Sequence, residues 1–168
     1  LMMLLLLLSC SGAPPSKNQD CTTVFSPATA PLRRLTDQQY QNSIRQLLGV
    51  EVPPSLLPKT TRSKAFQTWG SSNRISSTGA ETLLLAAEYA VRNSNLQDLA
   101  ACDVQQVECA ENLLFDVTSR AYRRPLRDEE KRFLSRYFQL GISVLEGLEL
   151  ALMIVLQSPD FLYLDGFE

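Results

Sequence analysis

A chain of 168 residues with net charge −2 and 45% apolar residues has room for one ordinary core and little for a second domain. That charge balance excludes the broad basic footprint of a nucleic-acid binder, and the apolar share predicts a folded protein away from the ends. Histidine is absent, which removes at once the commonest general base, the commonest transition-metal ligand and the usual haem ligand.

Leu1 to Leu8 form an apolar run too short to span a bilayer and suited to the core of an export signal. Leu7-Leu8-Ser9-Cys10 resembles a bacterial lipobox, so residues 1–10 are expected to be a lipoprotein signal with Cys10 as the lipidated residue. More than one acyl chain on Cys10 gives stable anchoring. Ser11, where an aspartate would signal inner-membrane retention, points to the outer membrane, facing the periplasm. No Lys or Arg precedes Leu1, so either the first residues of the signal lie before this sequence, which is the expectation, or translation begins at a leucine-type codon. Residues 11–31, rich in Pro, Ser, Thr and Ala, read as a flexible tether.

Order is expected from Leu32. Thr36 and Gln39 form a capping box, Tyr40, Ile44, Leu47 and Leu48 share one helical face, and Gly49 stops the helix. Arg33, Arg34 and Arg45 fall outside that face and read as solvated or ion-paired. From Val52 to Ser77, prolines, glycine and hydroxyl residues predict a long loop with one helical turn near Leu56 and Leu57. Phe66 and Trp69 are its expected anchors to the core. Thr78 and Glu81 read as a second capping box, followed by a stripe of Leu83, Ala87, Ala90 and Val91. Asn93-Ser94-Asn95 weakens that helix.

In an oxidising compartment Cys102 and Cys109 are the natural disulfide, leaving Cys21 unpaired once Cys10 is lipidated. Closing so short a loop contributes about 2–3 kcal/mol in the chain-entropy model. Their spacing is not the C-x-x-C of a redox pair, and two cysteines without histidine make no zinc site. Asp103 can cap a helix running to Tyr122, with Val107, Ala110, Leu114, Val117 and Ala121 as its buried stripe. Pro125 ends that helix, because it lacks an N–H and keeps Arg124 out of the α region. The next helix opens on Asp128-Glu129-Glu130 and buries Phe133, Leu134, Tyr137 and Phe138 as far as Gly141, so the pair flanking Pro125 is expected to fold back as a hairpin. Ser143 and Glu146 cap a last helix whose 148–156 stretch is apolar almost all round, which places it at the centre of a bundle. Ser158-Pro159 terminates it. The fold class is therefore all-α, a single bundle-like domain of about five helices behind a disordered lipoprotein tether.

Three passages carry a resemblance. Pro31-Leu32-Arg33-Arg34-Leu35-Thr36, with Tyr40 and Arg45-Gln46-Leu47-Leu48-Gly49, resembles the opening of the 1587 family of domains of unknown function. Arg120-Ala121-Tyr122-Arg123-Arg124-Pro125-Leu126, with Glu129-Glu130, resembles the 1595 family, and Leu156-Gln157-Ser158-Pro159-Asp160-Phe161-Leu162-Tyr163 is similar to its close. The resemblance implies a 1587-like helical segment over 32–100 and a 1595-like helical hairpin plus central helix over 101–164. It also implies that both stand at the front of a larger 1592-type envelope protein of planctomycetes and myxobacteria, with a further domain beyond Glu168. Some relatives carry C-x-x-C-H haem segments, and this sequence has none. It departs from the pattern at Arg127, where the family has a capping Thr worth about 1 kcal/mol unless Asp128 caps instead, and at Ala65-Phe66-Gln67, where the family has Gly-Phe-Asp.

No catalytic residue, metal ligand or cofactor is assigned. Glu108 with Glu111, or Asp128 with Glu130, sit at helix starts where the dipole favours carboxylates, a sufficient reason for them. Arg120, Arg123 and Arg124 are the candidate contact for an anion or a partner, against the plainer role of binding helix carbonyls and pairing with Asp128, Glu129 or Glu130. Expected partners are the membrane, through the lipid, and a downstream domain or envelope protein, with no nucleic acid. The reading is a non-catalytic structural or docking module of a larger cell-envelope lipoprotein. The alternative is the front of a periplasmic redox or hydrolytic enzyme whose active site lies beyond this chain.

Overall fold

The computed structural model describes residues 33–57 and 75–164. Cys10, Cys21, the tether, and Phe66 and Trp69 with the Ala65-Phe66-Gln67 motif lie outside the described residues.

In chain order the elements are β1 (Arg33–Arg34), α1 (Asp37–Leu48), a 3-10 turn (Pro54–Leu56), α2 (Ser77–Arg92), α3 (Leu96–Leu99), α4 (Val107–Tyr122), α5 (Asp128–Phe138), α6 (Val144–Val155), α7 (Pro159–Leu162) and β2 (Tyr163–Leu164). The fold is all-α and bundle-like; five helices are of eleven residues or more, and α3 and α7 are single turns. The apolar α6 is the central member, packed against α2, α4 and α5 through its buried Leu148, Ala151, Leu152 and Val155. Ala86, Ala87 and Ala90 on α2 are fully buried, and their small side chains let the helix approach closely.

The caps follow local chemistry. Thr36 Oγ1 accepts from Gln39 N at 3.2 Å while Gln39 Oε1 accepts from Thr36 N at 3.0 Å, completing the box, and Gly49 closes α1 in the left-handed region at φ 71°. At α2 the cap is Ser76, whose Oγ accepts from Gly79 N at 3.1 Å, so Thr78 lies inside the helix instead of at its start. At α6 Ser143 caps as expected, but Glu146 reaches one residue further back, accepting from Ile142 N at 2.9 Å.

Several sequence expectations are corrected. Asp103 does not cap α4. It turns the chain locally by accepting from Gln105 N at 3.0 Å, and α4 begins at Val107. Val107, at that first position, and Phe133, on the outer side of α5, are about half exposed rather than buried. Arg34 is buried, since β1 pairs antiparallel with β2 and carries it inward beside Tyr163, where desolvation lowers its pKa. The single turn α3 was not foreseen, because Asn95 begins it with too few residues to show periodicity. Finally, α5 packs chiefly on α6, while its fold-back on α4 across the Pro125 joint is also present, with Ser135 late in α5 bonded to Glu111 near the start of α4.

The Cys102–Cys109 disulfide is present, with Cα atoms 5.9 Å apart. It braces the corner between α3 and α4 together with Gln97, which donates to Cys102 O at 2.9 Å and accepts from Val104 N at 3.2 Å.

Candidate functional site: the arginine joint

The joint between α4 and α5 gathers the candidate arginines. Tyr122 ends α4, and Arg123 stands in the left-handed region at φ 60°. Its N–H donates to Arg120 O and that of Arg124 to Ser119 O, both at 3.3 Å, so the turn is a Schellman motif built on arginine in place of the usual glycine. The helix thus stops at Tyr122, three residues ahead of Pro125, through its own C-terminal bonds.

Arg124 then leaves with its fork aimed at α5 and α7. Its Nη1 and Nη2 donate to Glu130 Oε2 and Oε1 at 2.9 and 2.7 Å, and Nη2 also donates to Asp160 Oδ1 at 2.7 Å. The guanidinium carbon lies 5.6 Å from the centroid of the Tyr122 ring. Glu130 closes the joint from the other side, accepting from Arg127 N at 2.8 Å and from Arg127 Nη2 at 2.7 Å. This explains how α5 starts without a threonine. An arginine side chain has no acceptor, so only the returning half of a capping box forms, and Arg127 adds an ion pair to the glutamate that supplies it.

The hydrogen bonds from Arg124, then those from Arg127, hold the Glu130 carboxyl well below the usual carboxylate range. The same bond to Glu130, with that to Asp160, raises the Arg124 pKa. Burial raises the pKa of the Tyr122 phenol. Near neutral pH Glu130 stays ionised and Arg124 protonated, so neither can trade a proton; their chemistry is that of a clamp.

The other two arginines point to a different side. Arg120 donates to Asp116 at 3.3 Å and to Gln46 O, at the end of α1, at 3.0 Å. Arg123 donates to Phe161 O at 3.4 Å, with its guanidinium carbon 6.0 Å from the Phe161 ring centroid. Both border a shallow cleft of about 200 Å³ with Ser43 and Gln46. The three arginines therefore do not converge on one point: Arg124 serves α5 and α7, while Arg120 and Arg123 tie α4 to α1 and α7. Of the foreseen acidic partners Glu130 engages Arg124, whereas Glu129 pairs with Arg132 at 3.2 Å. Asp160 was missed, standing 36 residues from Arg124 with no local pattern linking them.

Phe161 is fully buried and its ring lies 5.6 Å from that of Tyr40. Among the described residues the Tyr40 hydroxyl is buried without a hydrogen-bond partner, and burial raises its pKa. Glu111 accepts from Ser135 Oγ at 2.9 Å and joins α4 to α5. No group of three or more cysteine, aspartate or glutamate side chains is placed to hold a metal ion among the described residues, and no helix there is long and apolar enough to cross a membrane.

With this geometry in view, residues 33–94 match the family model of PSD3, a protein of unknown function (DUF1587), and residues 109–165 match that of PSD5, a protein of unknown function (DUF1595). The 1587 segment precedes the 1595 segment, and the second match contains the whole arginine joint and its Asp160 partner. No curated protein and no solved structure matches the chain.

Proposed function

We propose that this chain is a non-catalytic structural or docking module of a larger cell-envelope lipoprotein, held at the outer membrane through lipid on Cys10 and working beside a further domain or envelope partner. The observation that carries the reading is the use made of Arg124. Its fork is filled by Glu130 and Asp160, which joins the end of α4 to the starts of α5 and α7. A guanidinium committed in this way stabilises a fold and leaves little to offer a substrate anion. The pairing of β1 with β2 supports the same view, because Arg33 and Leu164 lie side by side. Segments flanking the bundle on either side thus meet at one edge, which suits a module attached to a neighbour.

Thermal unfolding with phosphate or citrate at constant ionic strength tests the point. The reading expects no specific stabilisation of the wild-type chain by either anion, and a lowered Tm for Arg124→Ala with or without them. A rise in Tm with phosphate that Arg124→Ala abolishes would instead make the joint an anion site.

A further inference from the structure

The Cys102–Cys109 bridge stands at the start of α4, the end away from the arginine joint, and its two halves are unequally placed. Cys102 is exposed in the corner after α3, whereas Cys109 is buried in the first turn of α4. Both line an open cleft of about 250 Å³ with Leu99, Ala100 and Leu113, which gives a small thiol a path to the bridge. Access decides which sulfur of a disulfide an incoming thiolate attacks, and here it selects Cys102. The leaving sulfur is then that of Cys109, at the third position of a helix whose first turn has no side-chain cap. The positive end of the helix dipole favours the departing anion there.

Charge narrows the choice of thiol. Between Arg92 and Arg120 the sequence has no Lys or Arg, but it carries Asp98, Asp103, Glu108, Glu111 and Asp116. Among the described residues only Asp116 of these forms a salt bridge, with Arg120 at 3.3 Å. Helix α5, bonded to Glu111 through Ser135, brings a single cation, Arg136, toward this end. An approaching thiolate is itself an anion, so it is repelled unless positive charge travels with it.

The corner also has ties that do not depend on the bridge. Gln97 Nε2 donates to Cys102 O at 2.9 Å, Gln97 Oε1 accepts from Val104 N at 3.2 Å, and Val104 is buried. These hold Cys102 beside α4 when the sulfur–sulfur bond is broken, and a loop so short closes again at little cost.

We infer that the bridge is a reversible latch, opened at Cys102 by an external protein dithiol with a basic docking surface. One thiolate of the dithiol attacks Cys102 Sγ. The Sγ–Sγ bond breaks, and its electron pair leaves on Cys109 Sγ, which takes a proton from water. The second thiolate of the dithiol then attacks its own partner sulfur in the mixed disulfide and releases Cys102 as thiolate. Two electrons pass to the bridge, and the dithiol becomes a disulfide. The chain is the target of this exchange rather than its agent, in keeping with a spacing unlike that of redox-active pairs. The inference goes beyond the structural or docking reading and is independent of the lipid anchor and of the anion test.

The test uses the full chain with Cys10→Ser and Cys21→Ser, so that only the bridge supplies thiols. Cysteamine, 2-mercaptoethanol and 2-mercaptoethanesulfonate serve as cationic, neutral and anionic probes at equal thiolate concentration, with opening followed by alkylation and mass spectrometry. At low salt cysteamine should open the bridge at least about tenfold faster than the sulfonate, with the ratio shrinking as salt rises. The mixed disulfide trapped early should sit on Cys102. Asp103→Asn combined with Glu108→Gln should cut the ratio several-fold, whereas Glu51→Gln, beyond the end of α1, should leave it unchanged. Reclosure with cystamine as oxidant should be several-fold slower in Gln97→Ala. Equal rates for the three thiols, an adduct on Cys109, or opening only at the rate of global unfolding overturns the inference. So does reclosure of Gln97→Ala at the unaltered rate.

Discussion

Gly147, in the first turns of α6, lies against the backbone carbonyl of Phe138 at the end of α5, so closely that a β-carbon on the glycine would overlap that oxygen. A β-carbon on Gly141, in the connecting turn, would likewise overlap the backbone nitrogen of Gly147. The two glycines let the last turn of α5 and the first turn of α6 meet backbone to backbone, which gives the central helix its position. Here the obstacle to a side chain is main chain, which cannot swing aside. Gly147→Ala is therefore expected to cost about 2 kcal/mol or more, read as a fall in the urea midpoint with unchanged slope. A change under about 0.5 kcal/mol would show that the crossing is looser than described.

Arg123 holds a conformation that suits glycine, and its side chain rests on Phe161. The two facts oppose each other. Arg123→Ala keeps the backbone cost and loses the contacts, and is expected to destabilise by about 1–2 kcal/mol. Arg123→Gly loses the same contacts but removes the strain, so it should be the more stable of the two variants by about 1 kcal/mol. Equilibrium unfolding of the pair decides it; an alanine variant as stable as the glycine variant would mean that the left-handed turn is not retained.

The depressed pKa of Glu130 links stability to acid. Because its carboxylate is favoured in the folded state, its stabilisation is complete above the unfolded value of about 4.3. It is lost as pH falls through that value toward the lower folded one. The stability difference between the wild-type chain and Glu130→Gln should accordingly be constant from about pH 6 to 8 and shrink below about pH 5. Unfolding midpoints of both proteins across that range provide the check, and a difference that grows on acidification would contradict the assignment.

Much of this was legible in the sequence because it is local. The Thr36–Gln39 box, Gly49, and the stripe of Tyr40, Ile44, Leu47 and Leu48 follow from residues within one or two turns of each other, and the all-round apolar 148–156 stretch announced its central place. The Cys102–Cys109 pairing was likewise a matter of compartment and spacing. What escaped depends on contacts distant in sequence. Asp160 meets Arg124 only after α5 and α6 have packed, and the burial of Arg34 requires β1 to find β2 across the whole bundle. Phe133 misled for a different reason. It lies at the edge of the apolar face of α5, where periodicity alone cannot tell core from groove.

The most direct test of a structural joint is a double-mutant cycle on Arg124 and Glu130, with Arg124→Ala, Glu130→Ala and the double variant unfolded in urea near neutral pH. A two-toothed ion pair that is mostly covered on the glutamate side and fixes the start of α5 should give a coupling of about 1–2 kcal/mol, each single loss removing most of what the double loss removes. A coupling of about zero, with the single effects simply adding, would mean that the clamp does not hold the joint, and the arginines would have to be explained by something they bind.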